Sequence, residues 1–180
     1  MNYRDKIFSE SELKGEQFEG EKFVNCRFFQ VNLKFSSFKK CQFENCDFSG
    51  VVLESSSFES CTFPGSKLSN LDFKSTVFIK CEFTDSVADN CIFHTSSLKD
   101  CQYSEGSFIA SVFEKGNLNK ADFSRSKLKR ALFDHCKMME AKLSEADIEG
   151  TSFEGSNVDG TELDYGGFVQ YGQSKGFKLC

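Results

Sequence analysis

Large apolar side chains recur at every fifth position along almost the whole chain. The register runs from Tyr3 to Phe168 over 34 positions, and none of them is polar apart from two tyrosines. Nineteen of the 22 phenylalanines lie in this register. No insertion or deletion shifts its phase, so the sequence predicts one repeating architecture from end to end.

The residue two places before each large centre is also restricted. It is mostly Ser, Cys, Ala, Thr or Gly, and eight of the nine cysteines occupy this position. The other three positions of each five are rich in Lys, Glu, Asp, Asn, Ser and Gly. We therefore expect one large and one small side chain of each five to point inward.

A period of five excludes the two common secondary structures as long elements. In an α-helix, successive large residues would spread around all sides. In a flat strand they would alternate between the two faces. A chain that turns a corner every five residues buries them all, and four such sides form a coil of 20 residues. The pattern predicts about eight stacked coils, a rod roughly 40 Å long at a coil spacing of about 4.8 Å.

Several repeats resemble the pentapeptide-repeat family, whose consensus is A(D/N)LXX. The best matches are ADFSR at 121–125, CDFSG at 46–50 and ADIEG at 146–150. The resemblance extends over residues 3–168. It implies an all-β fold, a right-handed quadrilateral parallel β-helix.

The register also predicts the domain organisation. We expect one pentapeptide-repeat β-helix over residues 1–168 and a C-terminal tail or cap over 169–180. Charged residues at the inward positions Lys6, Glu16 and Glu21 indicate that residues 1–22 form an N-terminal cap and first coil. Phe177 and Leu179 in the tail would either fold over the last coil or meet a second copy, forming a homodimer through the C-terminal end.

Stacked coils place residues 20 apart in one column. The predicted structural core includes two such columns: Phe43, Phe63, Phe83, Tyr103 and Phe123, and Cys41, Cys61, Cys81 and Cys101. A line of parallel thiols does not surround a point as zinc ligands must. Parallel side chains about 5 Å apart also exceed the Cβ separation of about 3.8 Å that a disulfide needs. We interpret the cysteines as small apolar filling.

Composition narrows the function further. The net charge is −5 and the mean hydropathy is −0.39, which disfavour direct nucleic-acid binding and a membrane protein. The N-terminus lacks the apolar core of a signal peptide, so we expect a cytoplasmic location. His94 and His135 fall at outward positions with no Ser or Cys partner nearby, and no phosphate-binding loop is present. We expect no catalytic residue, metal or cofactor, and no enzyme activity.

Three groups of outward residues are candidates for binding a partner. The first is a run of acids between residues 143 and 174, where no Lys or Arg occurs: Glu145, Asp147, Glu149, Glu154, Asp159, Glu162 and Asp164. The second is an apolar column formed by Ile92, Val112 and Leu132, and the third is the out-of-register pair Phe29 and Phe35. The acids also suit a solvated end, and the column also suits ordinary strand propensity.

Within the family, the chain resembles the Phe- and Cys-rich quinolone-resistance and microcin B17 immunity proteins. The segments SESELKG at 9–15 and CQFENCDF at 41–48 carry this likeness. It implies a rod that mimics duplex DNA, binds DNA gyrase or topoisomerase IV, and protects the enzyme from quinolones or a peptide toxin. The alternative is a general protein-interaction scaffold with another partner.

Overall fold

A computed structural model describes residues 2–9, 13–94 and 98–178 of the chain. Leu179 and Cys180 lie outside the described residues. The elements are short strands followed by one helix: β1 (Asn2–Arg4), β2 (Gln17–Glu19), β3 (Lys22–Val24), β4 (Ser37–Lys39), β5 (Gln42–Glu44), β6 (Ser57–Glu59), β7 (Val77–Ile79), β8 (Ile92–His94), β9 (Leu98–Lys99), β10 (Val112–Glu114), β11 (Leu132–Asp134) and α1 (Tyr165–Ser174).

Every strand pair is parallel and joins residues 20 apart. The three sheets have the orders β1-β3-β5, β2-β4-β6-β7-β9 and β11-β10-β8. Single parallel bridges continue the same spacing between the strands, as far as Lys142 and Glu162. The predicted fold class, an all-β parallel β-solenoid, is confirmed.

Each coil has four sides, named here by their large centres. The first side has its centres at residue 3 and every twentieth residue after it, and the second, third and fourth sides start at residues 8, 13 and 18. The chain turns the corner two residues after a centre, where Asn25 (φ 53°) and Asn45 (φ 52°) adopt a left-handed backbone. Asn tolerates this conformation better than most residues, which favours it at a corner.

Aromatic rings fill the axis of the solenoid. Rings on one side stack across coils, as Phe23 does on Phe43 with centroids 4.8 Å apart. Rings on neighbouring sides meet edge to face, as Phe43 and Phe48 do at 5.3 Å. The two predicted core columns are buried throughout: Phe43, Phe63, Phe83, Tyr103, Phe123, Cys41, Cys61, Cys81 and Cys101.

The small inward position also supplies hydrogen bonds, which the sequence interpretation missed. The Cys61 thiol donates to the carbonyl of Phe38 at 3.3 Å, and the Ser66 hydroxyl donates to the carbonyl of Phe43 at 2.7 Å. Both acceptors lie 23 residues earlier, in the preceding coil. Cys is therefore more than filling, because its thiol makes the same bond as the hydroxyl of Ser.

A charged side chain lies over two aromatic rings near the N-terminal end. The Lys6 amine lies 4.4 Å from the centroid of Phe8 and 5.7 Å from that of Tyr3. This contact stabilises a cation over two ring faces of the first coil. Glu16, by contrast, is exposed although it occupies an inward position of the repeat.

The C-terminal end is closed by α1, a helix that the register did not predict. Asp164 caps it by accepting a hydrogen bond from the Gly167 N–H at 2.8 Å. Tyr171 packs against Phe153 with ring centroids 5.9 Å apart, and the Gln170 side chain accepts the Ile148 N–H at 2.8 Å. The helix thus covers the last aromatic ring and satisfies a backbone donor at the edge of the solenoid.

The predicted inward placement of Phe168 is therefore wrong. Helical geometry begins at Tyr165, so the five-residue period no longer determines where side chains point. Phe168 is 62% exposed, and the predicted boundary at residue 168 falls inside α1. Across the described ranges, α1 falls short of the length and apolar character needed to traverse a bilayer.

Candidate partner-binding surfaces

The acidic residues near the C-terminus surround the rod. Glu149 lies on the second side, Glu154 on the third and Asp159 on the fourth, while Glu145 and Glu162 lie on the first. These five side chains are exposed, whereas Asp147 and Asp164 are half-buried. The structure therefore arranges the run of acids as a ring of carboxylates on all four sides.

Lys129 pairs with two of these acids. Its amine lies 2.6 Å from Glu149 and 3.7 Å from Asp147. The hydrogen bond from Lys129 lowers the pKa of Glu149 and keeps that carboxyl group ionised. Because both pairs are solvent-exposed, they add little stability, but they reduce the negative charge on the second side.

Asp164 stabilises the start of α1. It accepts hydrogen bonds from the backbone N–H groups of Gly167 and Glu145, which lower the pKa of its carboxyl group. The acids that remain available to a partner are Glu145, Glu154, Asp159 and Glu162. None of these four forms an ion pair with another described residue.

The predicted apolar column is continuous in the structure. Val112 in β10 lies in register between Ile92 in β8 and Leu132 in β11. Ile92 is 43% exposed, and the other two are half-buried. Asp72 precedes Ile92 in the same column, and Val52 precedes Asp72.

Phe29 and Phe35 project into solvent, with exposed fractions of 58% and 63%. Phe29 lies near the corner between the second and third sides. Phe35 occupies the next corner, between the third and fourth sides, with a left-handed backbone (φ 63°). The two rings therefore border the third side, the same side that carries the apolar column.

Both histidines also lie on the third side, next to carboxylates. His94 contacts Glu114 through Nδ1, and His135 Nδ1 lies 2.6 Å from Asp134 Oδ1. Lys115 reaches Glu114 at 2.9 Å, and this hydrogen bond lowers the pKa of the Glu114 carboxyl group. The sequence interpretation considered only Ser or Cys partners for the histidines, although the 20-residue spacing of His94 and Glu114 predicts that they meet.

The pKa shifts of the buried thiols differ in direction: hydrogen bonds with Cys41 and Cys81 lower the pKa of Cys61 and Cys101 respectively. Burial raises the pKa of Cys46 and Cys91 to about 12 and that of Cys136 to about 11. Within residues 2–9, 13–94 and 98–178, no group of three or more His, Cys, Asp or Glu side chains is arranged to hold a metal ion.

These observations define a class of protein, a parallel β-solenoid with an aromatic core. A model described as a pentapeptide repeat region matches residues 56–133, and one of eight pentapeptide repeats matches residues 117–155. The chain belongs to the pentapeptide-repeat family. A model of the SV2A/B/C luminal domain also matches, over residues 7–88. A search of curated proteins found no match.

One solved structure with a TM-score above 0.5 shares this fold, and others match less well. A trypsin-treated QnrB1, a plasmid-mediated fluoroquinolone resistance protein, is 19% identical with a TM-score of 0.55, covering 100% of this chain and 99% of its own. HetL, a pentapeptide-repeat protein involved in heterocyst differentiation regulation in the cyanobacterium Nostoc, is 14% identical with a TM-score of 0.28. That match covers 92% of this chain and 90% of HetL. At 19% identity the likeness to QnrB1 is one of fold.

Proposed function

We propose that this protein is a non-catalytic binding rod that occupies the DNA-binding surface of a type II topoisomerase. The partner would be DNA gyrase or topoisomerase IV, and binding would protect the enzyme from a quinolone or a peptide toxin. One observation carries this proposal: the end of the rod displays exposed carboxylates on all four sides, including Glu145, Glu154, Asp159 and Glu162.

The physical basis is competition for a basic groove. Duplex DNA carries one negative charge per 1.7 Å or so of its axis, and proteins bind it largely through Lys and Arg. A rod of stacked coils that ends in a ring of carboxylates presents negative charge to the same groove from every direction. Protection follows from displacing DNA from the drug-bound complex, without any chemistry on the drug.

The likeness to QnrB1 supports this proposal through the fold. It extends over essentially the full length of both chains, and the name of that protein associates the rod with fluoroquinolone resistance. We place the protein in the cytoplasm, where it would meet its enzyme. We also propose a homodimer through the C-terminal end, where Tyr165, Phe168 and Phe177 are exposed.

A general interaction scaffold is the second candidate. It is favoured by the outward apolar groups away from the acidic end, namely Phe29, Phe35 and the column of Ile92, Val112 and Leu132. Such groups fit contacts with a protein partner that has no DNA-binding groove.

A supercoiling assay with purified gyrase, with and without a fluoroquinolone, tests the first candidate. The wild-type protein should restore supercoiling in the presence of the drug. The informative variant combines Glu145→Gln, Glu154→Gln, Asp159→Asn and Glu162→Gln, which removes the four unpaired carboxylates. We expect it to require about tenfold more protein for the same protection, a loss of about 1.4 kcal/mol of binding.

A matched control removes the same charge elsewhere. Glu16→Gln, Glu19→Gln, Glu82→Gln and Asp85→Asn change four exposed acids distant from the C-terminal ring. This variant should protect as the wild type does. If the wild type leaves supercoiling and drug inhibition unchanged at every concentration, the topoisomerase proposal is wrong and the scaffold remains.

A further inference from the structure

The third side of the rod differs from the others in its outward residues. The outward position directly before each large centre is apolar at Val52, Ile92, Val112 and Leu132. The same position on the first side is never apolar. A shallow groove of about 440 Å³ lies on the third side beside Val52. Apolar surface is thus concentrated along one line that runs parallel to the axis.

The line is regular because the strands are in register. Ile92, Val112 and Leu132 pair across β8, β10 and β11, so their side chains repeat about every 4.8 Å. From Val52 to Leu132 the third side extends over about 19 Å at this spacing.

A row of polar side chains lies beside this line. Two residues further along each strand, side chains again point outward, about 7 Å away. This row contains His94, Glu114 and Asp134, and Glu154 continues it toward the C-terminus. Lys115 and His135 contact Glu114 and Asp134 respectively, so the row keeps a net negative charge with three carboxylates and one lysine.

The spacing of the apolar column favours one backbone conformation for a partner segment. A helix aligned with the rod presents one apolar position per turn, every 5.4 Å or so, close to the spacing of the column. An extended segment presents same-face side chains about 7 Å apart, which does not match. About 13 residues of helix would cover the distance from Val52 to Leu132.

We propose that the third side is a docking surface for an amphipathic helix of a protein partner, with an apolar stripe and Lys or Arg along one flank. The stripe packs on Ile92, Val112 and Leu132, and the basic flank faces Glu114, Asp134 and Glu154. This goes beyond topoisomerase binding, because it concerns one side of the rod and shares only Glu154 with the ring at its end. A contact of this size suits a weak, reversible complex.

The probe is a synthetic 18-residue helical peptide with Leu once per turn and Lys along one flank, labelled with fluorescein. Fluorescence anisotropy measures its Kd for the full chain. Replacing the column with Ile92→Thr, Val112→Thr and Leu132→Thr should raise Kd about tenfold, as loss of a central apolar contact does. Threonine is β-branched and suits these strand positions.

The control variant carries Ile7→Thr, Val77→Thr and Val87→Thr, which replace exposed apolar residues on other sides. Its Kd should stay within about twofold of the wild type. Glu114→Gln with Asp134→Asn leaves the column intact and should weaken binding severalfold at low salt, with the difference shrinking as salt rises.

Three results would overturn the inference. They are an absence of binding, equal effects of the column and control variants, and equal affinity for a peptide whose lysines are replaced by glutamates. The assay contains no topoisomerase, and its column variant leaves the C-terminal carboxylates unchanged. A negative result here therefore leaves the supercoiling test unaffected, and the reverse also holds.

Discussion

Tyr103 stacks on Phe123 with ring centroids 4.4 Å apart and ring planes within 7° of parallel. Phe83 stacks on the other face of Tyr103 at 5.6 Å. The same stacking runs along the first side from Tyr3 to Phe123, so the rings between these two touch rings of the coils before and after them. A destabilising substitution at one large centre should also destabilise the neighbouring coils, because coils of a solenoid are stabilised by their neighbours.

Replacing Phe83 or Phe123 with Asp should unfold several coils. Either change buries a carboxylate without a partner, which costs several kcal/mol. Thermal melts followed by circular dichroism should show a much lower Tm for both variants. Phe35→Asp is the control, since Phe35 is exposed, and its melt should match the wild type. A wild-type melt for Phe83→Asp would contradict a buried stack.

Substitutions at Cys61 should separate packing from hydrogen bonding. Cys61→Ser preserves a donor to the Phe38 carbonyl and should keep stability close to the wild type. Cys61→Ala leaves that buried carbonyl without this donor and should cost about 1 kcal/mol in chemical denaturation. Equal stability of the two variants would show that the bond contributes nothing.

The buried cysteines should resist alkylation in the folded protein. At pH 8 a thiol whose pKa is about 12, such as Cys46 or Cys91, is almost entirely protonated, and burial also blocks the reagent. Peptide mapping after iodoacetamide treatment should find the eight inward cysteines unmodified in buffer and fully modified in guanidinium chloride. Rapid native labelling of any of them would mean that the coil opens there.

The cap on α1 should weaken in acid. The N–H groups of Gly167 and Glu145 lower the pKa of Asp164, so its contribution is present above the unfolded pKa of about 3.9 and is lost as pH falls through the lower folded value. Hydrogen exchange at both amides, relative to Gln173 in the same helix, should accelerate in that range.

Two substitutions test the same cap at neutral pH. Asp164→Ala should accelerate exchange of the Gly167 and Glu145 amides, because neither keeps its acceptor. Asp164→Asn should retain a cap for Gly167 and remove the acid dependence, since Asn is also a good N-cap. Unchanged exchange in Asp164→Ala would mean that α1 is held by Tyr171 and Gln170 alone.

The sequence predicted the fold because one geometric condition acts at every repeat. An inward centre such as Phe83 must be large and apolar in each coil, and the pattern records this directly. It could not predict α1, because Phe168 remains in phase with the repeat. The helix there is stabilised by the Asp164 cap and by the tertiary contacts that Tyr171 and Gln170 make with the last coil.

The candidate surfaces were predictable in part. The 20-residue spacing placed Ile92, Val112 and Leu132 in one column, and the structure agrees. The sequence interpretation did not predict the pairing of Lys129 with Asp147 and Glu149, because it compared charges along the chain and not between neighbouring coils. The sequence interpretation also did not predict that Phe29 and Phe35 border the third side, because this depends on where the chain turns its corners.

Displacement of duplex DNA from gyrase tests the proposed function most directly. A labelled duplex bound to purified gyrase should be released as this protein is added, at concentrations that rise about tenfold for the variant lacking the carboxylates of Glu145, Glu154, Asp159 and Glu162. Simultaneous binding of DNA and this protein to gyrase, with no release at saturation, would contradict the claim that the rod takes the place of DNA.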